Sequence, residues 1–360
     1  KEILLKYLNG CLKLFSNNRY FAPYCTVCQS SGYGKSKLVL ECGSHVPLVY
    51  GVFRSVNDKA FPCMSPWIKD FYYVITKFED QDQEKSILAY FLSVMEAYFD
   101  LYLELFSDIK FEENVTLVMK ELVKLFSTEE GQKQFFTKVQ VKLPSYFSDT
   151  DILIDMDDLL EKIKSLSIKV IHKLFESGSK SDSKSGSKSD LEYKPFVIVL
   201  DEASLLLEFN FEGKVNPLVA IRRALHQLPI ESRLLIVVIG TNGDVSEYNK
   251  KVNEDSLRII SRKYILPPLV LSRNFDVLRD KFNLSSLKIN CTNMKCKDFL
   301  KLLVTFGRPM WCSLLFSNIF TVAHAKIKNG SENQYTPFMA IWSISVGLTI
   351  NSDLKLVKTL

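Results

Sequence analysis

Gln29-Ser30-Ser31-Gly32-Tyr33-Gly34-Lys35-Ser36 lies between a short β-prone run, Tyr24–Cys28, and a helical pattern, Lys35–Cys42, that Gly43 is placed to end. The local order is strand, glycine turn, helix. A loop that wraps a phosphate needs small, glycine-rich backbone so that successive N–H groups turn inward, a lysine for the β and γ phosphates, and a hydroxyl for Mg²⁺. Gly32, Gly34, Lys35 and Ser36 supply these parts, and Lys37 follows directly. In the pattern G-x-x-x-x-G-K-[ST] the first glycine is replaced by Gln29, which changes the start of the turn but not the residues that touch a ligand. A Gly-Lys-Ser tripeptide by itself also fits an ordinary loop.

Two later stretches supply context. Phe196-Val197-Ile198-Val199-Leu200-Asp201-Glu202 is five apolar residues followed by two acids, the pattern of a buried strand ending at the carboxyl edge of a sheet. There Asp201 can reach a Mg²⁺ hydration shell and Glu202 can orient a water toward a γ-phosphate; solvated acids capping a strand are the plainer alternative. Leu234-Leu235-Ile236-Val237-Val238-Ile239-Gly240-Thr241-Asn242 is a second buried strand that runs into polar residues.

Together these stretches resemble the additional-strand class of P-loop ATPases, the AAA+ and STAND-like groups: QSSGYGKS is similar to their Walker A, VIVLDE to their Walker B and IGTN to their sensor 1. The resemblance implies a catalytic set of Lys35, Asp201, Glu202 and Asn242, a nucleotide cradle of Gln29 to Lys37, and a metal site of Ser36 and Asp201. It also implies that Thr241 or Asn242 polarises the attacking water or senses the γ-phosphate. Gly307-Arg308-Pro309 is similar to the G-x-P signature of STAND and archaeal-type ATPases, which would make Arg308 a nucleotide-touching residue; a Gly-Pro helix break explains the tripeptide equally well. QSSGYGKSKLV, HVPLVYGVFRS, AIRRAL and FGRPMW further resemble the NTPase module of Crinkler-type effectors and related fungal and protist proteins, over roughly residues 20 to 325. The expected cofactors are ATP and Mg²⁺. No guanine-specifying N-K-x-D follows the strand that runs into Gly240-Thr241-Asn242, which favours ATP over GTP.

Outward from these motifs, Val46–Phe53 (VPLVYGVF) reads as a strand buried on both faces, and Tyr264–Leu266 as a fifth strand. Strands separated by helices, including Pro217–Leu228, predict an α/β fold with a five-stranded parallel P-loop sheet flanked by helices. The expected division is a leading helix at 1–20, a core at 21–55 and 191–273, a helical insertion at 56–176, a disordered Ser/Lys loop at 177–190, and a C-terminal helical lid at 274–360. Lys35 and Asp201 lie much further apart than in a minimal AAA+ core, so residues 55 to 190 are an elaboration whose role the resemblance does not supply. Met and aromatic residues at helical spacing there (Tyr90, Phe91, Val94, Met95, Tyr98) read as core. The segment SGSKSDSKSGSKSD, 177 to 190, has too little apolar surface to bury.

Composition limits the partners. With 47% hydrophobic residues over 360 positions, disorder is excluded for most of the chain. Lys plus Arg number 46 against 41 Asp plus Glu, a net charge of only +5, so any nucleic-acid contact has to be local, as on the lysines between Lys281 and Lys301. The apolar stretches Met310–Ala325 and Pro337–Ile350 fall short of the roughly 20 residues of a membrane span, and no membrane partner is expected. Eight sparse cysteines without a leading apolar signal suit a reduced intracellular protein, cytoplasmic or nuclear; because the chain opens with Lys1, a trimmed signal and export as an effector stay open. Cys25-x-x-Cys28 lacks a second ligand pair, as do Cys291 and Cys296, and the four histidines form no catalytic constellation. Arg222 or Arg223 is a candidate finger toward a neighbour's γ-phosphate in a homo-oligomer, with a helix-surface salt bridge as the alternative. Two functions remain: an ATPase acting as a conformational switch or motor, and a nucleotide-dependent scaffold that recruits protein or nucleic acid with little turnover.

Overall fold

In the computed structural model, residues 2–16, 20–28, 34–54, 64–78, 80–108, 115–148, 151–176, 194–203, 206, 216–240, 264, 266 and 268–270 are described. The chain divides into two units, Lys1–Cys28 with Ser36–Val270, and Gln29–Lys35 with Leu271–Leu360; of the second, only Gly34 and Lys35 are among the described residues. The segment 177–190, the lid at 274–360 and the apolar stretches after residue 309 lie outside the described residues.

The architecture is α/β: a parallel sheet of four strands flanked by helices. After α1 (Glu2–Ser16) come β1 (Tyr24–Cys28), α2 (Lys35–Cys42) and β2 (Leu48–Val52), then five helices, α3 (Pro66–Lys77), α4 (Asp80–Asp108), α5 (Val115–Ser127), α6 (Glu129–Lys142) and α7 (Met156–Glu176). The chain re-enters the sheet with β3 (Phe196–Asp201), α8 (Pro217–His226) and β4 (Leu234–Gly240). Every residue of β2, β3 and β4 is buried, which is why their sequences are continuous apolar runs rather than alternating ones.

The four strands lie in the spatial order β2-β3-β4-β1, all parallel. The fifth strand expected at Tyr264–Leu266 is not found among the described residues. Tyr264 makes an isolated parallel bridge with Tyr20, and a two-residue strand, β5 (Leu269–Val270), pairs with Val27 and Cys28 at the edge beyond β1. Pro267 and Pro268 interrupt this stretch; without an N–H they cannot continue a ladder.

The period of two along a strand sorts the helices to the two faces. Phe196, Leu200 and Gly51 share one face, since Gly51 pairs with Leu200. A Cβ on Gly51 would sit 2.3 Å from Trp67 Cζ2 and 2.6 Å from Ile68 Cγ1, so the missing side chain lets α3 lie against β2. On the same face the ring of Tyr98 in α4 meets Phe196 edge-on at 5.1 Å. Tyr50, Val52, Val199 and Asp201 point the other way, toward Ser36 of α2. The free edge of β2 is closed by Ser65, whose N–H donates to the Val52 carbonyl at 3.1 Å and whose Oγ accepts from the Val52 N–H at 2.9 Å. An edge strand is thereby denied two of its exposed pairing groups.

Helix ends follow sequence signals. Asn216 Oδ1 caps α8 by accepting from the Leu218 N–H at 3.0 Å with Pro217 next, and Thr128 caps α6 by accepting from the Gly131 N–H at 3.2 Å. Among the described residues α4 alone is long and apolar enough to cross a membrane, over Asp82–Ser107, yet 83% of its apolar window is buried within the protein. It is the central helix of the insertion, packed against α3, α5, α6, α7 and α8.

Gly51→Val should overpack the α3 contact and lower stability by about 1–3 kcal/mol, read as a lower urea midpoint. An unchanged midpoint would show that Trp67 does not seat on β2 as described.

Candidate functional site

Parallel strands deliver their carboxyl ends to one edge. Cys28 pairs with Gly240 and Asp201 with Ile239, so the ends of β1, β3 and β4 lie at one height. Ligand sites of open α/β sheets form there because the loops that follow the strands converge on it.

Gly34 has φ +79, a backbone region in which a Cβ is strained, so glycine is required immediately before α2. Lys35 opens α2 and is only 6% exposed, far below what is usual for a lysine. Ser36 is the second residue of that helix, and its hydroxyl donates to Asp201 Oδ2. The Tyr50 hydroxyl donates to the same oxygen at 2.5 Å, and the Glu202 N–H donates to Asp201 Oδ1 at 2.9 Å. Asp201 is 2% exposed. A buried carboxylate is tolerated when its lone pairs are occupied by donors, and here three donors converge on it. Burial, and next the charge of Asp201, push the Tyr50 hydroxyl's pKa above its usual value, so Tyr50 stays protonated and acts as a donor.

Glu202 turns the chain out of β3 with φ +54, the left-handed region that costs an ordinary residue about 1–2 kcal/mol. The turn is held from both sides: the Asp201 carbonyl accepts from the Phe53 N–H at 2.6 Å, and the Ala203 N–H donates to the Ile239 carbonyl at 3.4 Å. The Glu202 carboxylate then meets the Arg54 guanidinium, with Oε1 and Nη2 3.3 Å apart.

Ser36, Asp201 and Glu202 are thus neighbours, although Ser36 and Asp201 lie 165 positions apart in sequence. Gln29, Ser30, Ser31, Gly32, Tyr33, Thr241, Asn242 and Arg308 lie outside the described residues; Thr241 and Asn242 directly follow the last residue of β4. Arg222 does not fit the expected finger. It is 2% exposed in a helix buried along nearly its whole length, so it faces the protein interior rather than a neighbouring subunit. Arg223 is half-buried.

Two site residues were not identified from sequence. Tyr50 is the one side chain with a polar tip in the apolar run of β2, and Arg54 is the first charge after it. That polar tip inside a fully buried strand was the available signal, since a buried hydroxyl requires a partner.

A hydroxyl and a carboxylate side by side are hard oxygen donors of the kind Mg²⁺ takes, usually one or two from protein with the remainder from water and phosphate. Ser36 and Asp201 fit that requirement. Among the described residues no group of three or more His, Cys, Asp or Glu could hold a metal on protein ligands alone.

Residues 1–115 match the family described as a domain of unknown function, DUF8735, which covers α1 through α4 and the first two strands but not β3 or β4. No curated protein and no solved structure matches the chain.

Asp201→Ala should leave the Ser36 and Tyr50 hydroxyls without their shared acceptor and destabilise the fold by about 1–3 kcal/mol, while Asp201→Asn, which keeps a carbonyl acceptor, should cost less than half as much. Urea denaturation of the two variants decides it; equal losses would mean that the hydroxyls do not depend on Asp201.

Proposed function

We propose that the chain binds ATP with Mg²⁺ and hydrolyses it, as a P-loop ATPase of the additional-strand class whose nucleotide state controls conformation. The observation that carries this reading is the hydrogen bond from Ser36, at the start of the helix that follows Gly34, to Asp201, at the carboxyl end of a buried parallel strand. In the proposed site the 29–35 backbone cradles phosphate oxygens, Lys35 faces the β and γ phosphates, and Ser36 with Asp201 holds Mg²⁺. Held there, Mg²⁺ supplies charge neutralisation at the phosphate oxygens. Glu202 orients the attacking water and accepts its proton, with Thr241 or Asn242 beside it. The strand order supports this: β4 lies between β1 and β3, an added strand between the one that leads into the glycine turn and the one that ends in the acids.

The Arg54–Glu202 ion pair favours a second reading, a nucleotide-dependent scaffold with slow turnover, because the carboxylate that would act on water is already engaged. Oligomer, protein and nucleic-acid partners belong to either reading.

Calorimetric titration with ATP and Mg²⁺ tests the first step: the parent chain should bind and Lys35→Ala should not. Glu202→Gln should bind as the parent does and hydrolyse about 10²–10⁴-fold more slowly, the usual contribution of a positioned base. Binding without turnover above background in the parent would select the scaffold. Equal binding by Lys35→Ala would overturn the nucleotide reading itself.

A further inference from the structure

Tyr50 has no counterpart in the motifs that point to nucleotide, yet it touches the carboxylate at their centre. It lies on β2, two residues before Val52, which pairs with Asp201. Tyr50 and Asp201 are therefore diagonal neighbours on one face of adjacent strands, close enough for a long side chain to reach across. The hydroxyl closes on Asp201 Oδ2 at 2.5 Å. It shares that oxygen with Ser36, whereas Oδ1 is taken by the Glu202 N–H.

The phenol is held in place along its length. Tyr50 is 3% exposed, its backbone is paired with β3, and its carbonyl accepts from the Trp67 indole N–H at 3.3 Å. The next residue, Gly51, is the one against which Trp67 packs. A rigid donor of this kind fixes the rotation of a carboxylate about its terminal bond, which is otherwise broad.

We propose that Tyr50 is a positioning residue for the metal site: it orients the Asp201 carboxylate so that, with the Ser36 hydroxyl, it presents oxygen to a nucleotide-bound divalent cation. This rests on the nucleotide reading above. Groups that hold a metal ligand from behind set its orientation and basicity, and losing one typically weakens metal affinity 10–100-fold. Ser36 lies at the start of α2 and would itself be a ligand, while Tyr50 is anchored in the sheet; the tyrosine is thus the partner that would hold Asp201 aligned with the serine hydroxyl given to the cation.

The test is a thermal-shift titration of the full chain at saturating ATP, with Mg²⁺ and then Mn²⁺ varied, so that the half-saturating cation concentration is read from stability rather than turnover. Tyr50→Phe keeps the ring and removes the hydroxyl. It should raise the half-saturating concentration at least tenfold, while ATP binding without the metal is unchanged. Tyr98→Phe is the control: Tyr98 is as deeply buried but lies on α4, away from Asp201, and its loss should leave the cation requirement unaltered. An unchanged requirement in Tyr50→Phe, or an equal rise in Tyr98→Phe, would overturn the role of Tyr50 alone. Absence of any ATP-dependent and Mg²⁺-dependent shift in the parent chain would instead overturn the nucleotide reading on which it stands.

Discussion

The register of β3 between β2 and β4 is the constraint on which the candidate site depends. Asp201 reaches Ser36 and Tyr50 only because it falls opposite Val52 on one side and Ile239 on the other, with its side chain on the α2 face. A slip of one residue would send every β3 side chain to the other face. The carboxylate would then point at the side occupied by Trp67 and Ile68, where it would meet apolar carbon instead of three donors. An unpaired charge in that position costs several kcal/mol. The same register that seats Phe196 against Tyr98 therefore also selects the face of the acid, so core packing and site geometry are specified together.

The insertion between β2 and β3 is compatible with this because it folds onto the sheet rather than hanging from it. Loop-closure entropy rises only with the logarithm of loop length, so a long excursion is tolerated if its ends are fixed. They are: Ser65 hydrogen-bonds to the end of β2 through both its N–H and its Oγ, and the Arg233 N–H just before β4 donates to Ser167 of α7 at 3.1 Å. The indole of Trp67 then packs on Gly51, which lies between Tyr50 and Val52. The helical layer thus bears directly on the strand that carries Tyr50, through Trp67 on Gly51 and the indole N–H on the Tyr50 carbonyl.

Much of this was legible in the sequence, for identifiable reasons. β2, β3 and β4 were recoverable because they are near-continuous apolar runs, and β1 and α2 because a β-prone run meets a Ser/Gly cluster and then a helical pattern ended by Gly43. The expectation of five strands was one too many: Tyr264–Leu266 has strand-like composition, yet Tyr264 makes an isolated bridge, and beyond β1 the described residues add only the two-residue β5. Arg222 was one of two finger candidates, with a helix-surface salt bridge as the alternative; it is buried because α8 is covered along nearly its whole length, which the sequence of one helix does not reveal. Tyr50 and Arg54 escaped because their partners lie about 150 positions away; a hydroxyl inside a fully buried strand signals that a partner exists, but nothing local says which residue it is.

The site also departs from what stability alone would favour. Glu202 occupies a backbone region where glycine or asparagine would be less strained, and Asp201 buries a charge where an aliphatic residue would pack. Both departures fall on adjacent residues at the carboxyl edge of the sheet. The left-handed turn has a geometric effect: it breaks the alternation of β3 immediately after Asp201, so two consecutive acids are used separately, one turned into the donor cluster and the other toward Arg54. A regular strand would have sent Glu202 to the α3 face. Strain that redirects a side chain is retained where its direction matters more than its cost, and here it keeps one carboxylate in the donor cluster of Ser36 and Tyr50 and gives the other to Arg54.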